Sequence, residues 1–194
     1  MAESASRTTI AQLGKDLTEL GRIRFAQKYA RPALAGVGRV AAAEEEENFA
    51  GRTMQVHIGQ LASAMKKRGE ASSAHVEATL SSVSDLLFIV PFLSRPIRVG
   101  RKAGINEIVI PDYSLSATHC ELRWLSHESV AIGDVQSSNP IVVDGRPLEP
   151  KEVLPLKGAE RIVLGRLIFR YFLPEQLVLL ASGTPADSVT RPTG

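Results

Sequence analysis

The sequence predicts a mainly β fold: a sandwich over residues 86–180, preceded by an α-helical amino-terminal region over 1–85 and followed by a flexible polar tail over 181–194. Three observations carry this. After Asp85, short runs rich in Val, Ile, Leu and Phe are separated by turn residues at intervals of about ten, the pattern of stacked strands. Before Asp85, apolar residues fall at spacings of three and four, which places them on one face of a helix. Within the second half, Asp144-Gly145 is a two-residue hairpin signal, because a type I′ turn needs positive φ at both central positions.

Element by element, Thr9-Ile10-Ala11-Gln12 has the form of a capping box. Ile10, Leu13, Leu17 and Leu20 then make the apolar stripe of a helix from Ile10 to Ala30. Gly14 and Gly21 weaken that helix, and Pro32 ends it by disfavouring helical geometry at Arg31. Ala33 to Val40 reads as a short strand or an irregular connection. Glu44 to Glu47 is a run of acids suited to a solvated loop or a helix amino terminus. Met54, Ile58, Leu61 and Met65 form a second stripe, and Lys66-Lys67-Arg68-Gly69 is a stop signal whose cations offset the negative end of the helix dipole. Glu70 to Asp85 is a weak helix or a linker.

Beyond Asp85 the expected strands are Leu87 to Leu93, Ile97 to Val99, Glu107 to Ile110, Cys120 to Leu125, Ser129 to Gly133, Ile141 to Val143, Arg161 to Leu164 and Leu167 to Leu173. Pro174-Glu175-Gln176-Leu177 opens a short helix, with Pro at an early position and an acid in the first turn.

The net charge of +2 is too small for nucleic acid or an anionic membrane to be the default partner, so neither is expected. Any anion site must be local. Cys120 is the single cysteine, which excludes an intrachain disulfide and a cysteine-based zinc site. His57, His75 and His127 show no metal-ligand spacing, and neither a metal nor a cofactor is expected. The run from Leu86 to Leu93 falls well short of the roughly 20 apolar residues that span a bilayer. The polar start, Met1 to Thr9, lacks the features of a secretory leader. The expected location is the cytoplasm.

The second half also carries an ordered set of polar motifs: Gly100-Arg101, Asn106-Glu107-Ile108-Val109-Ile110, Ser116-Ala117-Thr118-His119, Asp134, Ser137-Ser138-Asn139, the Asp144-Gly145 turn, and Ile162-Val163-Leu164-Gly165. Each alone is weak. Their order and spacing together resemble the forkhead-associated (FHA) domain family over about half the chain. That resemblance implies an eleven-stranded Greek-key sandwich whose end loops bind a phosphothreonine peptide.

The resemblance further implies that Arg101 and Ser116 contact the phosphate, that Ser138 and Asn139 contact the peptide, and that Gly100 and His119 support the loops. The chemistry of these side chains suits such roles. A guanidinium presents fixed donors to phosphate oxygens, a hydroxyl adds another, and an Asn amide both donates to and accepts from an extended backbone. Three positions depart from the family pattern: Ala117, where many members carry a polar or basic residue; Pro140, in place of Gly; and Ala159, where Gly commonly stands.

The expected function is therefore a phosphothreonine-peptide-binding module that turns phosphorylation of a partner, by a Ser/Thr kinase, into docking. The alternative is a degenerate scaffold of the same fold that binds an unphosphorylated partner or oligomerises. Ser116 beside His119 suggests a nucleophile and base, but no orienting acid or oxyanion site accompanies them, and no enzyme is expected. Trp124 and Leu122 are expected in the core.

Overall fold

The computed structural model describes residues 7–40, 86–127, 129–135 and 137–192. The expected second helix with its Lys66-Lys67-Arg68 end and the acidic run Glu44 to Glu47 lie outside them.

The chain opens with strand β1 (Arg7–Thr9) and helix α1 (Ile10–Lys28). Thr9 caps α1 through its hydroxyl, which accepts from the Gln12 N–H at 3.1 Å. The reciprocal half of the capping box does not form, because the Gln12 side chain turns forward to Asp16, 2.7 Å away. Gly21 adopts φ 70° and ψ 165° and breaks the helix into two parts. Of the predicted stripe, Leu13 is fully buried and Leu17 packs at its border.

Ala33–Arg39 forms a true strand, β2, followed by β3 (Leu86–Ile89), β4 (Ile97–Gly100), β5 (Ile108–Val109), β6 (Cys120–Trp124), β7 (Val130–Asp134) and β8 (Ile141–Val143). Then come β9 (Arg146–Pro147), β10 (Val153–Leu156), β11 (Arg161–Leu164), β12 (Leu167–Phe172) and helix α2 (Pro174–Ala181). They build a β-sandwich of two sheets, one ordered β1-β3-β2-β12-β11-β8-β9 and the other β10-β7-β6-β4-β5. Asp144 (φ 50°) and Gly145 (φ 81°) make the predicted turn between β8 and β9.

Two cores explain the layering. Between the sheets lie Phe88, Ile97, Val99, Ile108, Leu122, Ile132, Ile162, Phe169 and Tyr171. On the outer face of the larger sheet, Ala33, Ala35, Leu87, Ile89 and Phe172 meet Leu13, Phe25 and Tyr29 of the α1 region and Leu177 and Leu180 of α2. A sheet covered on both faces needs strands apolar at every position, which is why Leu86 to Ile89 reads as a continuous run rather than an alternation. Leu122 is fully buried, whereas Trp124 only borders the core and donates through Nε1 to the Pro91 carbonyl at 2.9 Å.

Two findings differ from the expected organisation. The larger sheet crosses the boundary expected at residue 85. β2 pairs with both β3 and β12, and β1 extends the sheet beyond β3. A strand of Ala, Leu, Val and two Gly gives little local signal, since its stability comes from partners distant in sequence. The segment expected as a flexible tail instead packs back. Val189 is buried, Arg170 Nη1 donates to the carbonyls of Ala186 and Val189 (3.2 Å each), and Gln176 Nε2 donates to the Thr190 carbonyl at 2.9 Å. The sequence reading also missed β10, whose Pro155 is tolerated because β10 is an edge strand.

Among the described residues no helix is long and apolar enough to cross a membrane.

Candidate functional site

The site is assembled from three connections at one rim of the sandwich. The first leaves β4 at Gly100. A Cβ there would lie 2.5 Å from the Ala117 carbonyl oxygen and 2.7 Å from Thr118 Cα, so only glycine fits. That close approach lets the Arg101 N–H donate to the Ser116 carbonyl (3.0 Å) and the Lys102 N–H to the Ala117 carbonyl (3.1 Å). Asn106 locks the same junction, its Nδ2 donating to the carbonyls of Lys102 at 2.7 Å and Ala117 at 2.6 Å.

The second connection, 111–119, is held by a buried carboxylate. Asp112 accepts from the Ser114 N–H (2.8 Å) and hydroxyl (2.7 Å), and it pairs with Arg166 at 3.2 Å. Ser114 Oγ accepts in turn from the Arg166 N–H at 3.1 Å. Gly165, at φ 58°, gives Ser114 room, since a Cβ there would sit 2.5 Å from its Oγ. At the far end His119 is fully buried, and its Nδ1 accepts the Ser116 N–H at 3.1 Å. Burial pushes its pKa down to about 4, against a weaker pull upward from Asp134. The ring is therefore neutral near pH 7, with its proton on Nε2.

The third connection, 135–140, closes over the second. The Ser138 N–H donates to Ser116 Oγ at 3.0 Å, and Asn139 Nδ2 donates to the Ser114 carbonyl at 2.8 Å. Asp134 Oδ1 holds the loop by accepting from the Ser137 N–H (3.0 Å) and hydroxyl (2.8 Å). Asn139 is buried, and its Oδ1 has no hydrogen-bond partner among the described residues.

The sequence-predicted residues thus meet in space. Arg101 and Ser116 are joined through their backbones, and Ser138 touches the Ser116 hydroxyl. Asn139 reaches the same loop. Arg101 is exposed; its Nε donates to the Leu115 carbonyl at 3.1 Å, and among the described residues its terminal guanidinium nitrogens make no hydrogen bond. Ser116 Oγ accepts from Ser138 and keeps its own proton to donate. The arrangement offers an anion a fixed cation, a hydroxyl donor and the neighbouring exposed Lys102. Arg166 is spent on Asp112.

His119 does not stand as a base toward Ser116, because its Nδ1 faces the Ser116 backbone rather than the hydroxyl. Among the described residues no group of three or more His, Cys, Asp or Glu side chains is placed to hold a metal. His127 stacks on Phe92, with centroids 5.3 Å apart, while His57 and His75 lie outside the described residues. Of the departures from the family pattern, Ala117 is exposed and adds no polar group. Ala159 adopts φ 62°, the left-handed geometry that glycine takes freely.

Sequence reasoning passed over Asp112, Ser114 and Arg166, and it gave Asn106 no role. The Asp-x-Ser spacing of 112–114 is a turn signal that points to this network. It passed over Tyr113 as well, which no periodicity marks.

Residues 97–165 match the family model of the FHA domain. That match, which supports an FHA domain, runs from the start of β4 to the Leu164-Gly165 turn, while the sandwich itself extends beyond it on both sides through β2, β3 and β12. Among solved structures the chain is similar to the FHA domain of the CT664 protein from Chlamydia trachomatis (27% identity, 44% of this chain and 83% of that one, TM-score 0.40). It is likewise similar to the FHA domain of an Arabidopsis thaliana hypothetical protein (26% identity, 58% and 80%, TM-score 0.41). A third similar structure is the MEK1 FHA domain in complex with a phosphothreonine peptide of HOP1 (20% identity, 44% and 87%, TM-score 0.39). No curated protein matches. The assignment rests on the family match and on the residues it covers.

Proposed function

We propose that the domain binds phosphothreonine peptides and so makes interaction between two proteins depend on a kinase. In this reading Arg101 and Ser116 hold the phosphate, Ser138 and Asn139 hold the flanking backbone, and Gly100 and His119 keep the loops in register. The observation that carries it is the coupling of Arg101 to Ser116. The backbone bond of 3.0 Å and the Nε bond to Leu115 fix where the guanidinium starts, and its terminal nitrogens remain available. A phosphate dianion paired with a guanidinium and a hydroxyl gains charge-assisted hydrogen bonds about twice as strong as neutral ones. Asn139 Oδ1, an acceptor with no described partner, suits a ligand backbone N–H.

The test is titration calorimetry with a degenerate phosphothreonine peptide pool and its unphosphorylated counterpart. The phosphorylated pool is expected to bind and the other not. Arg101→Ala is expected to abolish binding while unfolding remains unchanged, because the side chain is exposed. Equal binding of both pools, or of the variant, refutes the reading and favours a scaffold for an unmodified partner.

A further inference from the structure

Tyr113 is among the most exposed large hydrophobic residues in the described structure, at 72%. Its backbone is nonetheless firmly placed. On one side Asp112 is buried in its bonds to Ser114 and Arg166, and on the other Leu115 is buried, with its N–H donating to the Asp112 carbonyl at 3.1 Å and its own carbonyl accepting from Arg101. A turn pinned this tightly holds an aromatic ring out into water beside the cation of the anion site. The Arg101 guanidinium carbon lies 6.0 Å from the ring centroid, at the outer reach of a cation–π contact. Among the described residues no other ring or cation contact engages Tyr113.

A tyrosine on a fixed backbone has only two side-chain torsions to lose when a ligand covers it, and it contributes apolar area together with a polar tip. A ligand anchored on Arg101 lies within reach of the ring. We infer that Tyr113 is a specificity-determining residue. Its ring is the platform on which a side chain flanking the phosphothreonine packs, so the domain prefers peptides with an apolar or planar residue at that flanking position. This rests on the phosphothreonine reading above, and it names the ligand class within it.

The experiment is a double-mutant cycle across the interface. Phosphothreonine peptides carrying Phe, Leu, Pro or Gly at each flanking position are titrated into the wild-type chain, Tyr113→Phe and Tyr113→Ala. Covering part of one ring face is expected to favour the best apolar peptide over its Gly counterpart by about fivefold. Tyr113→Phe keeps that preference. Tyr113→Ala removes it, bringing both peptides to the affinity of the Gly peptide. If Tyr113→Ala weakens apolar and Gly peptides equally, the ring acts only through Arg101 and the platform is refuted. If wild-type discrimination survives in Tyr113→Ala, another surface selects the peptide and the inference fails, while phosphothreonine binding stands. If the wild-type chain binds no phosphothreonine peptide, the functional reading itself falls and takes the platform with it. Thermal unfolding of Tyr113→Ala is expected to match wild type, which separates loss of contact from loss of fold.

Discussion

Lowering the pH is expected to destabilise this protein through His119 before its carboxylates respond. The imidazole is fully buried, its Nδ1 accepts the Ser116 N–H, and its Nε2 finds no partner among the described residues. Protonation would place a charge in that site and turn the acceptor at Nδ1 into a donor facing another donor. The folded pKa is about 4 against an ordinary 6.5, so between those values the unfolded chain binds the extra proton and the folded chain does not. Stability is therefore full above pH 6.5 and falls as the pH drops toward 4. Integrating the linkage relation from pH 7.5 to 4.5 gives a loss of about 2.5 kcal/mol. Asp16 responds lower down. The Lys28 ammonium, then the Tyr29 hydroxyl, hold its carboxyl near 2, and the stability it contributes is lost only as the pH falls from its ordinary 3.8 through that value. The assay is urea unfolding at pH 7.5, 6.5, 5.5 and 4.5 for wild type and for His119→Asn, whose amide oxygen can accept the same N–H without titrating. The wild type should lose about 2.5 kcal/mol more than the variant over that range. Parallel pH curves, or a His119 resonance that titrates near 6.5, refute the argument.

Other substitutions probe the frame around the site. Gly100→Ala forces a methyl into the Ala117 carbonyl and should cost about 1–3 kcal/mol in chemical denaturation while parting Arg101 from Ser116, visible in their amide shifts. Asp112→Ala leaves Arg166 unpaired and Ser114 without its acceptor, and should cost about 3 kcal/mol, measured the same way. Ala159→Gly relieves a left-handed alanine at φ 62° and should raise stability by about 1 kcal/mol, a small rise in the unfolding midpoint.

How much of this was legible in the sequence depended on whether the signal was local. The Asp144-Gly145 hairpin, the strands β6, β7, β8, β11 and β12 and the helix opened by Pro174 each carry their cause within a few residues. The rim was legible through the order and spacing of Gly100-Arg101, Ser116 to His119 and Ser138-Asn139, which resemble the FHA family pattern. What escaped was set by partners far along the chain. β2 is a strand because β3 and β12 flank it, and the weak pattern Ala-Leu-Ala-Gly-Val-Gly-Arg says nothing of them. The C-terminal stretch is polar and reads as mobile, yet Arg170 and Gln176 capture its carbonyls. Tyr113 escaped for another reason, since only the pinned turn makes its exposure informative.

The placement of β2 bears on how the protein can be made and cut. Its two hydrogen-bonded neighbours are encoded on either side of nearly the whole domain, one of them at the very end of the sandwich. During translation α1 and β2 emerge before the rest of the sheet and must wait, with Leu34 and Phe25 unburied, until β12 leaves the ribosome. A fragment trimmed to residues 97–165 would lack β1, β3, β2 and β12 of its larger sheet and leave β11 as a raw edge, an invitation to self-association.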